Sequence, residues 1–163
     1  MRPPAFLREW HNARMSDKER GYAYRVDIRV LPSAVWRALT DNEQLRRWCG
    51  PQARISAEQG GLFRASVDKL IEFEAHIDVF VPERRLRLVY LPCAAAPPAD
   101  TVLVDDFLLE PLADRTTVRL LGSGVPASRQ WDTQYLRLRV GWQQAMGRLK
   151  VLLERQPKRG GVR

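Results

Sequence analysis

The sequence predicts an α+β fold in which helices cover one face of an antiparallel sheet. Three observations predict it. A first strand is followed by two short helices, about six strand-like segments lie between residues 52 and 124, and a long amphipathic helix follows them. The length of 163 residues, with 45% hydrophobic and 28% charged side chains, suits a single globular domain.

Local signals delimit the first strand and the two short helices. Residues 22–30 alternate apolar and polar side chains, which is typical of a half-buried strand. Pro32 suits the first turn of a helix, and Gly50 with Pro51 ends a second one. Two capping pairs are available between the helices: Thr40 with Glu43, or Asp41 with Gln44.

The later strand-like segments alternate most clearly in "LIEFEAHIDVFV", residues 70–81. One face of this segment is acidic and the other apolar, which favours antiparallel pairing. A loop rich in alanine and proline follows at residues 92–100. The predicted apolar face comprises Ile71, Phe73, Ala75, Ile77, Val79 and Val81.

The long helix is predicted over residues 131–156, because apolar residues recur there at spacings of three or four. At about 1.5 Å per residue it reaches ~39 Å, enough to lie across a sheet. Its wide apolar face must be buried. That face comprises Trp131, Tyr135, Leu138, Trp142, Met146, Leu149 and Leu153.

The net charge of +8 is concentrated at the two ends. Residues 1–20 and 147–163 together carry eleven Lys or Arg against four acidic residues. This distribution favours solvated ends over a nucleic-acid surface, so we expect no nucleic-acid partner. We expect an N-terminal extension over residues 1–20, either helical or disordered, with residues 1–14 an addition to the domain. A domain over residues 21–156 and a basic tail over residues 157–163 complete this division.

The predicted location is the cytoplasm. No apolar run approaches the ~20 residues of a membrane span, and the first twenty residues lack the apolar centre of a signal peptide. We therefore expect no membrane insertion. Cys49 and Cys93 are expected to be reduced, packed thiols.

The sequence offers little for catalysis. His11 and His76 are the only histidines, and His76 alternates with acidic residues on the polar face of its strand. No metal-ligand spacing, phosphate loop or nucleophile elbow is present in the sequence. We expect no catalytic residues, no metal and no cofactor, and we expect that the protein is not an enzyme.

Asp105 and Asp106 interrupt the apolar run "VLVDDFLLE", and strand alternation turns one of them toward the apolar face. An unpaired carboxylate there is costly. Three outcomes stay open at this point. The carboxylate pairs with Arg137 or Arg139 of the long helix, anchors a ligand, or lies at a wet strand edge.

The aromatic residues on inward faces exceed what simple filling needs, which favours an apolar ligand pocket between the sheet and the long helix. Arg139 is expected at the pocket mouth, with its stem buried. The candidate ligand-binding residues are Trp48, Phe63, Phe73, Tyr90, Asp106, Trp131, Tyr135, Arg139 and Trp142.

The order of elements and several motifs resemble the START-like helix-grip superfamily (SRPBCC), in its branch related to activators of heat-shock-protein ATPase. The resemblance covers residues 22–154 and implies a curved antiparallel sheet of six to seven strands wrapped on a long C-terminal helix. It also implies that the short helices brace one end, with Trp36 and Trp48 as plugs. The motifs are "AVWRALTDNEQLRRWCGP", the Gly60–Gly61 turn before Phe63, "VFVPERRLRL", "FLLEPLADRTTVRLLGSG" and "GWQQAMGRLKVLLE".

The resemblance implies a leading function and two alternatives. The leading one is binding of an apolar or aromatic small molecule, or a lipid-like one, in the cavity under the long helix. The first alternative is a chaperone ATPase regulator that acts by protein–protein contact. The second is a cyclase- or hydrolase-like enzyme that uses the aspartates with Arg139 or Tyr135. The oligomeric state stays open.

Overall fold

A computed structural model describes residues 18–68 and 71–155. Seven strands form one antiparallel sheet in the spatial order β1–β7–β6–β5–β4–β3–β2, so the first strand pairs with the last. The strands are β1 (Glu19–Ile28), β2 (Arg54–Ile55), β3 (Leu62–Asp68), β4 (Ile71–Val81), β5 (Arg85–Tyr90), β6 (Val104–Pro111) and β7 (Thr116–Pro126).

Three α-helices accompany the sheet: α1 (Pro32–Thr40), α2 (Asn42–Cys49) and α3 (Asp132–Arg155). Helix α3 contacts β1, β3 and β4 as well as both short helices, and this confirms the predicted α+β architecture. The long helix begins one residue later than predicted, because Trp131 ends a 3₁₀ turn that precedes it.

The signals at the ends of α2 act as predicted. The Asp41 side chain accepts a hydrogen bond from the Gln44 backbone N–H at 3.0 Å, so this capping pair is the one that forms. Thr40 instead donates its hydroxyl to the Trp36 carbonyl within α1. Gly50 follows α2 with a φ of 113°, a conformation that favours glycine.

A β-bulge in β4 corrects the predicted apolar face of that strand. The register against β5 shifts between Ile77 and Val79, and the bulge ends the simple alternation. Phe80 consequently packs edge-on against Trp36, with ring centroids 5.1 Å apart. Val81, predicted to be buried, is 44% exposed.

Trp48 joins the short helices to the core. Its side chain is buried, and its indole N–H donates to the Ala38 carbonyl of α1 at 2.8 Å. Arg148 of α3 donates its Nε–H to the Trp48 carbonyl at 2.9 Å. Trp48 thus ties α1, α2 and α3 together, whereas Trp36 is only half-buried.

The cysteine prediction is correct for one residue of two. Cys49 is buried, and burial raises the pKa of its thiol to about 12. Cys93 is exposed, because it lies in the segment that links β5 to β6. The predicted addition at residues 1–14 and the tail at residues 157–163 lie outside the described residues.

None of the described helices is both long enough and apolar enough to cross a membrane.

Replacing Trp48 with Phe is predicted to lower the free energy of unfolding by about 2–3 kcal/mol, because a buried hydrogen bond and part of a packed ring are lost. Trp36→Phe is the matched control, since Trp36 is half-buried and its main ring contact is with Phe80. Urea unfolding of both variants measures the difference. Equal losses at the two positions would contradict the role given to Trp48.

Candidate functional site

The carboxylate of Asp105, in the middle of the sheet on β6, is fully buried at 0% exposure. It accepts hydrogen bonds from the hydroxyls of Tyr22 and Tyr90, each at 2.5 Å. Among residues 18–68 and 71–155, no cationic side chain contributes to its pKa. Within the same ranges, no three His, Cys, Asp or Glu side chains converge as metal ligands would. Asp105 is therefore a buried anion held by neutral donors.

The strand register explains how Tyr22 reaches Asp105. Tyr22 on β1 lies opposite Gly122 on β7, and Gly122 lies opposite Asp105 on β6. A Cβ atom at Gly122 would overlap the Tyr22 ring. Because glycine has no side chain, the tyrosine ring crosses β7 and its hydroxyl meets the carboxylate one strand further on.

Tyr90 approaches Asp105 from the other side. Leu88 on β5 lies opposite Asp105, and Tyr90 is two residues further along the same face. The Tyr90 ring stacks on Phe73 of β4, with centroids 4.4 Å apart and planes 4° from parallel. This stacking orients the ring so that its hydroxyl points to the carboxylate.

Trp142 of α3 supplies a third donor beside the carboxylate. Its indole N–H is buried and has no acceptor in hydrogen-bond geometry within the described part of the chain. It nevertheless lies close enough to lower the pKa of Asp105. The Trp142 ring is held by Phe73 and Phe107, whose centroids lie 6.0 and 5.5 Å away.

The environment shifts the pKa values of all three bonded groups upward. Burial raises the pKa of Asp105 to about 6, although the hydrogen bonds from Tyr22 and Tyr90 and the nearby indole N–H of Trp142 oppose this. Burial, together with the Asp105 charge, raises the pKa of both tyrosines. At pH 7 the site therefore contains a largely ionised carboxylate and two protonated phenols.

Four of the predicted ligand-binding residues lie deep in the core, where they pack on aromatic rings. Phe63 and Phe73 stack with centroids 6.0 Å apart, and Trp48 packs edge-on against Phe107 at 6.4 Å. Their packing alone accounts for their burial. The deep residues are Trp48, Phe63, Phe73 and Trp142.

The remaining aromatics predicted for the site form its rim, next to the segment 91–103, which we call the rim loop. The Trp131 indole donates to the Pro98 carbonyl of the rim loop at 3.2 Å. The Tyr135 hydroxyl donates to the Gly21 carbonyl at 2.6 Å, and the Arg139 guanidinium lies 5.4 Å from the Tyr135 ring centroid. Tyr22 and Tyr90 contact both this rim cluster and the main core.

Asp106, one of the candidate ligand-binding residues, does not face the interior. Asp106 lies on the other face of β6, where it accepts hydrogen bonds from Arg85 at 3.0 and 2.6 Å. The inward carboxylate is Asp105, and it bonds to tyrosines instead of Arg137 or Arg139. The sequence left this ambiguous because "VLVDDFLLE" has apolar residues on both faces.

Sequence reasoning also missed two residues of the cluster. The alternation over residues 22–30 includes Tyr22 without assigning it to the site, and Gly122 stands only within the motif "FLLEPLADRTTVRLLGSG". An acidic residue in an apolar strand is itself a signal, because it requires donors on the neighbouring inward faces.

Fold and site together define an α+β domain whose sheet wraps a long helix over a buried polar cluster. Residues 29–154 match the family model described as "Activator of Hsp90 ATPase homolog 1-like protein". The chain belongs to this family, as the resemblance in its motifs predicted. Comparison with curated proteins finds no matching sequence.

Solved structures confirm the helix-grip fold. Protein MLL2253 from Mesorhizobium loti is similar with a TM-score of 0.73 and 24% identity over 85% of this chain and 100% of that one. The Aha1 dimer from Colwellia psychrerythraea is similar with a TM-score of 0.68 and 17% identity, covering 85% and 99%. CalU16 from Micromonospora echinospora has a TM-score of 0.65 and 20% identity, covering 84% and 78%. At these identities the similarity concerns the fold alone.

Asp105→Asn is predicted to stabilise the protein at neutral pH. Between about pH 4 and 6 the folded state keeps a proton that the unfolded state has released, so the Asp105 contribution to stability falls as pH rises. The variant's advantage over wild type should therefore grow by about 2–3 kcal/mol from pH 4 to pH 7, at about 1.4 kcal/mol per pKa unit. Urea unfolding across this range measures it.

Asp106→Asn is the matched control, because Asp106 is the adjacent carboxylate on the other face of β6, where it contacts Arg85 outside the buried cluster. The gain expected for Asp105→Asn between pH 4 and pH 7 should not appear in this variant. A pH-independent difference for Asp105→Asn would contradict the raised pKa.

Proposed function

We propose that this protein binds an apolar or aromatic small molecule that carries a hydrogen-bond donor, with Asp105 as its polar anchor. One observation carries the proposal: a fully buried carboxylate without a cationic partner in the described part of the chain. Such a group is expensive to bury, even with two hydrogen bonds. A residue that costs stability in a core is most simply explained by a function.

The chemistry of the cluster defines the class of ligand. An ionised carboxylate attracts a phenol hydroxyl or an amine, and it repels the carboxylate of a fatty acid. The buried N–H of Trp142 offers a donor to an acceptor on the same ligand. The surrounding rings of Phe73 and Tyr90 suit an aromatic skeleton.

A ligand would reach this cluster by way of the rim loop. Trp131 is bonded to Pro98 of the loop, and a groove of about 710 Å³ adjoins this contact, lined by Pro98, Gln130 and their neighbours. Tyr22 and Tyr90 lie between the rim cluster and the main core. A ligand that displaces the rim loop and Trp131 would reach the two tyrosine hydroxyls first.

The family description supports a second candidate, regulation of a chaperone ATPase by protein contact. This function would use the surface, so Asp105 would not be needed for it. The two candidates therefore differ in their response to Asp105→Asn.

The test is an amide chemical-shift titration with 2-naphthol and with its methyl ether, which lacks the donor. We expect 2-naphthol to bind about 10- to 100-fold more tightly, because a hydrogen bond to a charged group contributes about 1.5–3 kcal/mol. The largest shifts should fall on Tyr22, Tyr90, Trp131 and Tyr135. Asp105→Asn should reduce the preference to a few-fold.

Asp106→Asn is again the control and should keep the full preference. A preference that survives Asp105→Asn would contradict the anchor. If neither naphthalene changes the amide chemical shifts, and lines broaden only when a heat-shock ATPase domain is added, the second candidate is favoured.

A further inference from the structure

A groove separate from the Asp105 cluster runs along α3 beside the end of α2. It is open to the surface and has a volume of about 870 Å³. Most of its lining comes from successive turns of one face of α3. We call it the arginine groove and define it by Arg47, Gln144, Gly147, Arg148, Val151, Leu152 and Arg155.

The charged residues that line the arginine groove all have the same sign. Three of its residues are arginines, and within the described part of the chain none of its lining residues is acidic. Arg148 is held in place because its Nε–H donates to the Trp48 carbonyl at 2.9 Å. Arg47 contacts Glu43 at 3.2 Å in an exposed pair one helical turn apart, which is weak and exchangeable.

The floor of the arginine groove is apolar and contains a glycine that packing does not require. Val151 is 46% exposed, and Leu152 is half-buried beside it. A Cβ atom at Gly147 would meet no atom within 4 Å. Glycine destabilises a helix interior relative to alanine, so the chain itself gains nothing from it here. The missing side chain leaves the backbone of α3 open to close approach by another molecule.

We propose that the arginine groove docks an acidic amphipathic helix of a partner protein. The lining residues of α3 extend from Gln144 to Arg155, about 17 Å at 1.5 Å per residue, which matches three turns of a second helix. Apolar side chains of that helix would pack on Val151 and Leu152. Its Asp and Glu residues would pair with the guanidinium groups on both sides.

The lining chemistry favours a peptide over a nucleic acid. Single-stranded nucleic acids bind where basic residues alternate with aromatic rings on which bases stack. The lining residues of the arginine groove in the described structure include no aromatic side chain. An apolar floor between arginines fits apolar side chains flanked by carboxylates.

The test uses the full-length protein and a fluorescein-labelled helical peptide of 14 residues, with Leu at positions 3, 6, 7 and 10 and Glu on both sides of this stripe. Fluorescence anisotropy should show a Kd at least tenfold lower than for a peptide of the same composition with the leucines scattered. Equal binding of the two peptides, or no binding of either, would overturn the proposal.

Substitutions locate the binding. Gly147→Trp covers the floor and should weaken peptide binding at least tenfold. Gly147→Ala should weaken it several-fold, because its Cβ atom hinders close approach to the backbone of α3, and should raise the thermal midpoint. Arg155→Glu should weaken binding, and Arg137→Glu, on the same helix outside the groove, should not. Unchanged binding by a folded Gly147→Trp variant, checked by circular dichroism, would overturn the proposal.

Competition experiments test whether a different kind of molecule occupies the arginine groove. A single-stranded oligonucleotide or anionic lipid vesicles that displace the peptide as well as unlabelled peptide does would indicate a general anion surface. A synthetic peptide of residues 1–17 that binds the groove more tightly would assign the groove to this chain's own N-terminal segment. Either result would overturn the proposal, and failure of all three competitors supports it.

Discussion

The burial of one negative charge constrains the middle of this structure. Asp105 has no exposure, so its oxygens must be satisfied from within the protein. Tyr22 on β1 and Tyr90 on β5 donate these hydrogen bonds. Strand β5 is the direct neighbour of β6, whereas one strand separates β1 from β6. Gly122 makes this arrangement possible, because the Tyr22 ring occupies the space that a side chain at position 122 would fill. The cluster around one carboxylate thus involves residues from four strands.

Helix α3 serves two separate surfaces. Toward the sheet it presents Trp142, whose N–H lies beside the buried carboxylate without completing a hydrogen bond. Toward the end of α2 it presents Gly147 and Val151, which form the floor of the arginine groove. The first surface is enclosed and suits a small molecule, whereas the second is open and cationic. The two proposals are independent, because no residue is shared between the cluster and the groove.

Much of the architecture could be predicted because it depends on local signals. Alternation identified the strands, the two alternative capping pairs predicted the start of α2, and Gly50 predicted its end. The site could be predicted only in part. The tyrosine bond to Asp105 joins residues 83 apart in sequence, through a pairing of the first strand with the last that no local pattern reveals.

The same limit explains the two errors of orientation. Both faces of β6 carry apolar residues, so alternation could not decide between Asp105 and Asp106. In β4 the bulge after Ile77 changes the pattern, and a bulge has no strong signature in the side chains. A direct titration of Asp105 tests the central claim, with its carboxyl ¹³C shift followed by NMR and assigned with Asp105→Asn. The account predicts a midpoint near pH 6. A midpoint at or below about 4, the value of a solvated aspartate, would contradict it.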